Sequence, residues 1–413
     1  MQVIDGTTDI AVSGERPRQA TEAERWLLRW ALLICLGVAL GLLSFLRLGT
    51  TGDLLVGFLR GGCRQIGAIG LTLTVGTLVV GRLCRWARLD AAVRRINVVW
   101  LKLLAGGGVA LLAAEVFMRA VFFDGASFGW GAGPIVERFE QRYYHLNRFG
   151  SRGPDALGPK PPGALRIMVQ GDSITFGAGL RDEHDAYPSL VLSGLQRAAP
   201  SRIEMSVHAV GGHHIVTHLE NLQRFGPEVE PDVLIYQWHL NDTETDEFQQ
   251  LGVRDRPWAS LFCHKLLQRV SYAWWFLDFE LAIRLLGTRR DFERYFQAVL
   301  SLDQPRWTGF EAVFRAWAAQ SRQLCPRVAV LLYPSEIGTP GDYEFQAHHE
   351  RVQEIASDYG IQTVDLLEYL GDVRDWRQVA VNRFDLHPNA FLHRRMAEVL
   401  LGWLPVWWPE LFN

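Results

Sequence analysis

Five short apolar runs, spread over the last two-thirds of the chain, constrain its fold more than any other feature. They are LRIMVQ (165–170), IEMSVHAV (203–210), DVLIYQW (232–238), RVAVLLY (327–333) and IQTVDLL (361–367). Helical patterns of apolar residues lie between them, such as YPSLVLSGLQRAA and HHERVQEIASDYG. Strands rich in Val, Ile and Leu that alternate with helices are typical of a mostly parallel sheet covered on both faces. We therefore predict an α/β fold with a five-stranded parallel sheet.

Polar or glycine-bearing segments follow four of these runs. GDS (171–173) follows the first run, GGHH (211–214) the second, HLND (239–242) the third and FDLHPN (384–389) the fifth. In an open parallel sheet, ligands bind beyond the carboxyl ends of the strands. We therefore expect the four segments to meet in one site. A simpler interpretation of the first segment is an ordinary strand-to-helix turn in which Asp172 or Ser173 caps the helix.

In this order, the segments resemble the four sequence blocks of the SGNH (GDSL) hydrolase family, named after Ser, Gly, Asn and His. GDSITFG is similar to the first block, HLND to the third and DLHPN to the last. AVGG is similar to the second and places its glycine at Gly212, with Gly211 as the alternative. The similarity covers roughly residues 165–405. It implies a flavodoxin-like three-layer α/β/α domain.

The resemblance also implies roles for the site residues. Ser173 would be the nucleophile and His387 the base that removes its proton, with Asp385 orienting the imidazole. The backbone N–H groups of Ser173 and Gly212, with the side-chain amide of Asn241, would stabilise the oxyanion.

Two positions depart from the family pattern. The family usually places its aspartate three residues before the histidine, where this chain has Phe384, and Asp385 comes one residue later. The third block usually begins with glycine and here begins with His239, which is expected either to narrow the cleft or to lie at the core edge, bonded to backbone. His239, His213 and Asp172 are candidate substrate contacts.

Composition and spacing do not indicate a metal, a cofactor or nucleic acid. The five cysteines form no Cys-x-x-Cys pair, and the net charge of −3 gives no long-range attraction for nucleic acid. His214 and His218 are four residues apart, but no acidic partner for a metal site lies in the stretch between them.

The first third of the chain contains three long apolar runs, at 27–46, between residues 64 and 82, and at 97–123. Their lengths suit about three transmembrane helices within residues 26–123, although one run could instead be a buried helix. The arginine-rich segment RLCRWARLDAAVRR favours a cytoplasmic loop between the second and third runs. This topology predicts a cytoplasmic tail (1–25) and an extracytoplasmic domain.

The rest of the chain divides into a linker that leads into the domain (124–164) and the SGNH-like domain itself (165–413). A helical insertion is predicted at 255–320. Its aromatic residues are Tyr272, Trp274, Trp275, Phe276 and Phe279. These residues are expected to pack against the sheet domain, with an acyl-binding wall, a membrane-facing surface or a partner site as alternatives.

Together these features predict a membrane-anchored serine esterase or O-acyltransferase in the bacterial cytoplasmic (inner) membrane, with its catalytic domain on the periplasmic side. Its substrate would be an acetylated or acylated cell-envelope glycan or lipid, and its partners would include the lipid bilayer. The alternative is a non-catalytic subunit of this fold that binds membrane protein partners. Phe384 and His239 favour this alternative, whereas catalysis is favoured by Ser173, Gly212, Asn241 and His387.

Overall fold

The computed structural model describes residues 91–129, 133–156, 158–198, 203–243, 267–285, 301–335 and 343–411. The chain divides into two compact units, Met1–Phe117 and Met118–Asn413. Helix α1 (Ala91–Val121) supplies the described part of the first unit. The first two apolar runs predicted to span a membrane lie outside the described residues. The third falls largely within α1, and none of the helices in the described ranges combines the length and apolar character that a bilayer crossing requires. The predicted transmembrane region at 26–123 stays a prediction.

The second unit is built on the five-stranded parallel sheet that the sequence predicts. Its strands are β1 (Leu165–Gly171), β2 (Ile203–Ala209), β3 (Val233–Trp238), β4 (Val328–Leu332) and β5 (Gln362–Asp365). Their spatial order is β2-β1-β3-β4-β5, and every neighbouring pair is parallel. This is the flavodoxin-like order, in which sites form at the carboxyl edge of the sheet. The predicted fold of this unit is confirmed.

Helices cover both faces of the sheet. The helices of this unit are α2 (Pro134–Tyr143), α3 (Ser173–Phe176), α4 (Tyr187–Ala198), α5 (Ile215–Val229), α6 (Tyr272–Leu285), α7 (Pro305–Leu324), α8 (Gln346–Asp358) and α9 (Ala390–Trp407). Alternate strand residues enter two cores: Ile167 and Val169 pack with α4 and α9, whereas Met168 packs with α5, α7 and α8. Both faces of β1 are therefore buried, which explains its continuous apolar sequence.

A short antiparallel hairpin precedes α9. It consists of β6 (Ala380–Asn382) and β7 (Asp385–Pro388), so the last sequence block lies on a strand that is not part of the main sheet.

The structure describes part of the predicted helical insertion. Helix α7 begins within it and extends past its predicted end, and it packs against α5 in the layer that covers the sheet, so it is a regular crossover helix. Helix α6 has a different environment. Its Tyr272 and Trp275 are buried with Phe122 and Phe128, in a third apolar cluster that also includes Phe384.

The predicted linker contributes to the domain. It contains helix α2, and residues 144–156 then run along the edge strand β2. The Val207 N–H donates to the carbonyl of Pro154 (3.0 Å), and the Ala209 N–H donates to Ser151 Oγ (2.7 Å). Because these contacts pair the exposed edge of β2, the segment protects that strand from other pairing.

Candidate active site

Ser173 begins helix α3 directly after β1, at the carboxyl edge of the sheet. Gly171 makes the tight turn possible, because a Cβ there would clash with Thr175 Oγ1 and lie 2.8 Å from Gln237 Oε1. Asp172 caps the helix: its Oδ1 accepts from the Ile174 N–H at 2.8 Å. The capping interpretation is therefore correct for Asp172, and it leaves the half-buried Ser173 as the first residue of the helix.

The second carboxylate oxygen of Asp172 organises the HLND segment. Asn241 Nδ2 donates to Asp172 Oδ2 at 2.7 Å, and His239 Nδ1 lies 3.5 Å from the same oxygen. Burial raises the pKa of Asp172, but the hydrogen bond and charge of His239, with the N–H donors of Ile174 and Asn241, outweigh it and lower this pKa overall. Asp172 is 1% exposed, so its carboxylate supports the site and presents almost no surface to a substrate.

His239 occupies the position of the family glycine. Its Nδ1 lies 2.9 Å from Asn241 Oδ1, and its backbone N–H donates to Asp242 Oδ2 at 2.8 Å. Its side chain is 12% exposed. Of the two expectations, the core-edge histidine fits better, but the partners of its ring are side chains of the site.

The GGHH segment lies beside Ser173. A Cβ on Gly211 would be 3.8 Å from the Cβ of Ser173, and Gly212 has a φ of +79°, a conformation that favours glycine. Burial and the neighbouring His218 lower the pKa of His213 to about 4, so its ring is neutral at pH 7.

Two further histidines belong to this region: His214 directly precedes helix α5, and His218, within α5, is fully buried. His218 Nε2 lies 3.2 Å from Asp242 Oδ1. Within the described ranges, no group of three or more His, Cys, Asp or Glu side chains is arranged to hold a metal ion.

His387 and Asp385 form a close pair on β7. His387 Nδ1 lies 2.5 Å from Asp385 Oδ1, which also accepts from the His387 backbone N–H at 3.1 Å. Burial raises the pKa of Asp385, but the charge and hydrogen bonds of His387 and the Ser127 hydroxyl outweigh it, so this pKa is lowered and the carboxylate is ionised. Helix α3, which begins at Ser173, neighbours β7. The aspartate therefore reaches the histidine despite the shorter spacing.

Two further polar residues near this pair were missed by the sequence analysis. Ser127 Oγ donates to Asp385 Oδ2. The Tyr144 hydroxyl accepts from the Gly179 N–H at 2.8 Å, and burial raises the pKa of Tyr144 to about 12. Both residues come from the predicted linker, outside the family-like blocks.

Phe384 is accounted for by its aromatic neighbours. Its ring stacks on Phe128 at 5.1 Å and meets Phe276 edge-on at 5.5 Å, as measured between ring centroids. The aromatic residues of the predicted insertion therefore pack, in part, directly beside the His387–Asp385 pair.

Known proteins match this chain in two ways. The family model described as the GDSL-like Lipase/Acylhydrolase family matches residues 169–395. Solved structures with similarity include TesA, with 16% identity over 58% of this chain and 97% of TesA, at a TM-score of 0.37. Axe2, an acetylxylan esterase from Geobacillus stearothermophilus, has 16% identity over 58% of this chain and 93% of its own, with a TM-score of 0.37. LAE5, an alpha/beta hydrolase from the metagenome of Lake Arreo, Spain, has 15% identity over 62% of this chain and 97% of its own, with a TM-score of 0.36.

A search of curated proteins found no match. The family model spans more than half of the chain and includes all four sequence blocks. The chain therefore belongs to the GDSL-like lipase/acylhydrolase family.

Proposed function

We propose that this protein is a serine esterase or acyltransferase in which Ser173, His387 and Asp385 act together on an ester. The observation that carries the proposal is the His387–Asp385 contact of 2.5 Å, on a strand that neighbours the helix beginning at Ser173. A serine hydroxyl needs a base to become a nucleophile, and a histidine held by an ionised carboxylate is such a base.

The reaction begins when Ser173 Oγ bonds to the acyl carbon while its proton passes to His387 Nε2. The carbonyl electrons move to the oxygen, and Asp385 stabilises the imidazolium. The tetrahedral intermediate then expels the alcohol, which takes the proton from His387. Water or a second alcohol, deprotonated by His387, releases the acyl group from Ser173 by the same steps in reverse.

The developing oxyanion would accept hydrogen bonds from the backbone N–H groups of Ser173 and Gly212 and from the side-chain amide of Asn241. An amide nitrogen carries two donors. Asn241 gives one of them to Asp172, and the proposal assigns the other to the oxyanion. One such donor contributes about 2.7–4 kcal/mol to the lowering of the barrier.

The proposed substrates are acetyl or acyl esters of cell-envelope glycans or lipids, with water or a sugar hydroxyl as the acceptor. The support for this choice, and for a location at the bacterial cytoplasmic membrane with the domain on its outer side, is the sequence of the first third. Its apolar runs and the arginine-rich segment at 82–95 carry that part of the proposal.

The alternative of a non-catalytic subunit drew its support from Phe384 and His239. Phe384 packs against Phe128, and Asp385 supplies the carboxylate that contacts His387. His239 contacts Asn241. Both departures are thus compatible with a working site, which weakens the argument for that alternative.

The test is labelling of the full chain with a fluorophosphonate probe, together with turnover of p-nitrophenyl acetate. Ser173→Ala should abolish both. The matched control is Ser206→Ala, because Ser206 also lies beside a histidine, with its Oγ 3.0 Å from His208 Nε2, but is fully buried in β2. This variant should label like the native chain. Labelling that persists in Ser173→Ala, or a native chain that neither labels nor turns over, would contradict the proposal.

A further inference from the structure

We propose that Ser127 is a positioning residue for the Asp385–His387 pair, so that a segment outside the family-matched region completes the candidate site. The inference rests on the proposed function for its kinetic consequences. Ser127 lies in residues 122–129, whereas the family model begins at residue 169.

The two oxygens of Asp385 have separate partners. Oδ1 faces the backbone N–H and the Nδ1 of His387, whereas Oδ2 accepts from the Ser127 hydroxyl. Asp385 is 1% exposed and Ser127 is 7% exposed, so bulk water has little access to this contact. Hydrogen bonds to a buried carboxylate are stronger than those between neutral groups. Ser127 therefore determines how the carboxylate is rotated toward the histidine.

Ser127 is itself held by the β6–β7 hairpin. Asn382 Nδ2 donates to the Ser127 carbonyl at 3.0 Å, while Asn382 Oδ1 accepts from the Phe384 N–H at 2.8 Å. The Gly129 N–H donates to the Phe384 carbonyl at 3.4 Å. The hydroxyl is thus anchored to the same hairpin that carries Asp385.

Two glycines enclose the contact. A Cβ on Gly179 would lie 3.0 Å from both Asp385 Oδ2 and Ser127 Oγ, and a Cβ on Gly129 would lie 3.1 Å from Asp385 Oδ1. Both distances are tighter than ordinary van der Waals contact, so a side chain at either position would press on the Ser127–Asp385 contact, and glycine leaves the space that this contact needs.

The aromatic cluster holds the segment from its other side. Phe128, next to Ser127, meets Trp275 of α6 edge-on at 4.5 Å and stacks on Phe384 at 5.1 Å. The neighbours of Ser127 and Asp385 in the sequence are therefore packed against each other. This packing keeps the two polar side chains aligned with each other.

The test compares Ser127→Ala, which removes the hydroxyl, with Ser127→Thr, which retains one. Ser301→Ala is the matched control, because Ser301 Oγ also donates to an aspartate, Asp303, but on the exposed surface before α7. Ser127→Ala should lower kcat for p-nitrophenyl acetate by about 10-fold to 100-fold with KM changed less than about twofold. Ser127→Thr should recover most of kcat, and Ser301→Ala should match the native chain.

A double-variant cycle separates positioning from general damage to the fold. In an Asp385→Asn background, Ser127→Ala should cause no further loss of kcat, because the carboxylate through which Ser127 acts is gone. A native kcat in Ser127→Ala, or an equal loss in both backgrounds, would overturn the proposal. If Ser127→Ala fails to fold, Ser127→Cys keeps a similar volume with a weaker donor and should show the same loss.

A spectroscopic measurement decides the inference without any activity. In the full chain labelled with ¹⁵N-histidine, the His387 Nδ1 proton should resonate well downfield of the backbone amides, and His387→Gln would assign it. Ser127→Ala should shift or broaden this resonance, and Ser301→Ala should leave it in place. An unchanged resonance in Ser127→Ala would overturn the inference. A native chain without esterase activity but with the expected shift would contradict the proposed function alone.

Discussion

Asp385 lies two residues before His387, and its Oδ1 nevertheless reaches the histidine Nδ1 at 2.5 Å. The same oxygen accepts from the His387 backbone N–H, so the side chain lies along β7 toward the residue two positions further on. An aspartate three residues before the histidine is therefore not the only spacing that delivers a carboxylate. The residue at that other position, Phe384, is instead part of the aromatic cluster.

The role of Phe384 can be tested by restoring the family residue. Phe384→Asp should lower the free energy of unfolding by about 3 kcal/mol, because it removes the contacts with Phe128 and Phe276 and places a carboxylate among aromatic rings. Denaturant unfolding of the full chain measures the change. Phe391→Asp is the control, since Phe391 is 48% exposed, and it should change stability by no more than about 0.5 kcal/mol. Native stability in Phe384→Asp would show that packing does not explain the displaced aspartate.

His239 offers a second comparison with the family pattern. His239→Gly should lower kcat for p-nitrophenyl acetate by about 10-fold, because the Asn241 amide loses the ring that contacts its oxygen. KM should change little, and Asn241→Ala should mask the effect when the two are combined. The exposed His184→Gly is the control. An unchanged or higher kcat in His239→Gly would mean that the ring only fills space.

Alanine should have opposite effects on stability at two glycines, Gly171 in the turn before Ser173 and Gly309 in α7. Gly171→Ala should destabilise the domain by about 3 kcal/mol, because the new methyl group would overlap Thr175 Oγ1. Gly309→Ala in α7, where nothing lies within 4 Å of the added Cβ, should stabilise it by about 0.5–1 kcal/mol. Unfolding midpoints in urea measure both. Equal effects at the two positions would contradict the tight packing of the turn.

The pH dependence of stability should report the buried histidines. Burial and then the charge of His387 lower the pKa of His393 to about 3, while a histidine in an unfolded chain titrates near pH 6.5. Between these values the unfolded state binds the additional proton, so the free energy of unfolding falls as the pH falls from about 6.5 toward 3. Burial lowers the pKa of His208 to about 3 as well, and it adds a term of the same sign.

The variant His393→Asn should remove one such proton. In the native chain, the Tyr187 N–H donates to His393 Nδ1 at 3.2 Å. The amide oxygen of the introduced asparagine can accept the same hydrogen bond. Between pH 6 and 4.5, the slope of unfolding free energy against pH should fall by about 1.4 kcal/mol per unit relative to the native chain. Identical slopes would show that His393 is not kept neutral in the native state.

Local sequence was enough to predict the sheet and the polar segments that directly follow β1, β2 and β3, whereas the last block lies on the separate β6–β7 hairpin. Val- and Ile-rich runs and glycine-bearing turns depend on neighbouring residues, so β1 and the turn at Gly171 were recognisable along the chain. The sequence did not distinguish α7, a regular helix of the sheet layer, from an insertion. Helices α6 and α7 both have aromatic residues at helical spacing. They differ in their partners, because α7 packs on the sheet layer and α6 packs in the third apolar cluster.

The support around Asp385 was decided by tertiary structure alone. Ser127 and Asp385 are 258 positions apart, and a serine in a glycine-containing segment carries no local sign of such a contact. The packing of Phe384 on Phe128 likewise has no local sign in the sequence, where Phe384 is only a departure from the family pattern. The sequence alone determined the backbone layout and the chemical types at the sheet edge, because both follow from short-range preferences. Which distant side chains hold the acid in place followed from the packing of the segment before α2 against the β6–β7 hairpin, and that packing exists only in the folded chain.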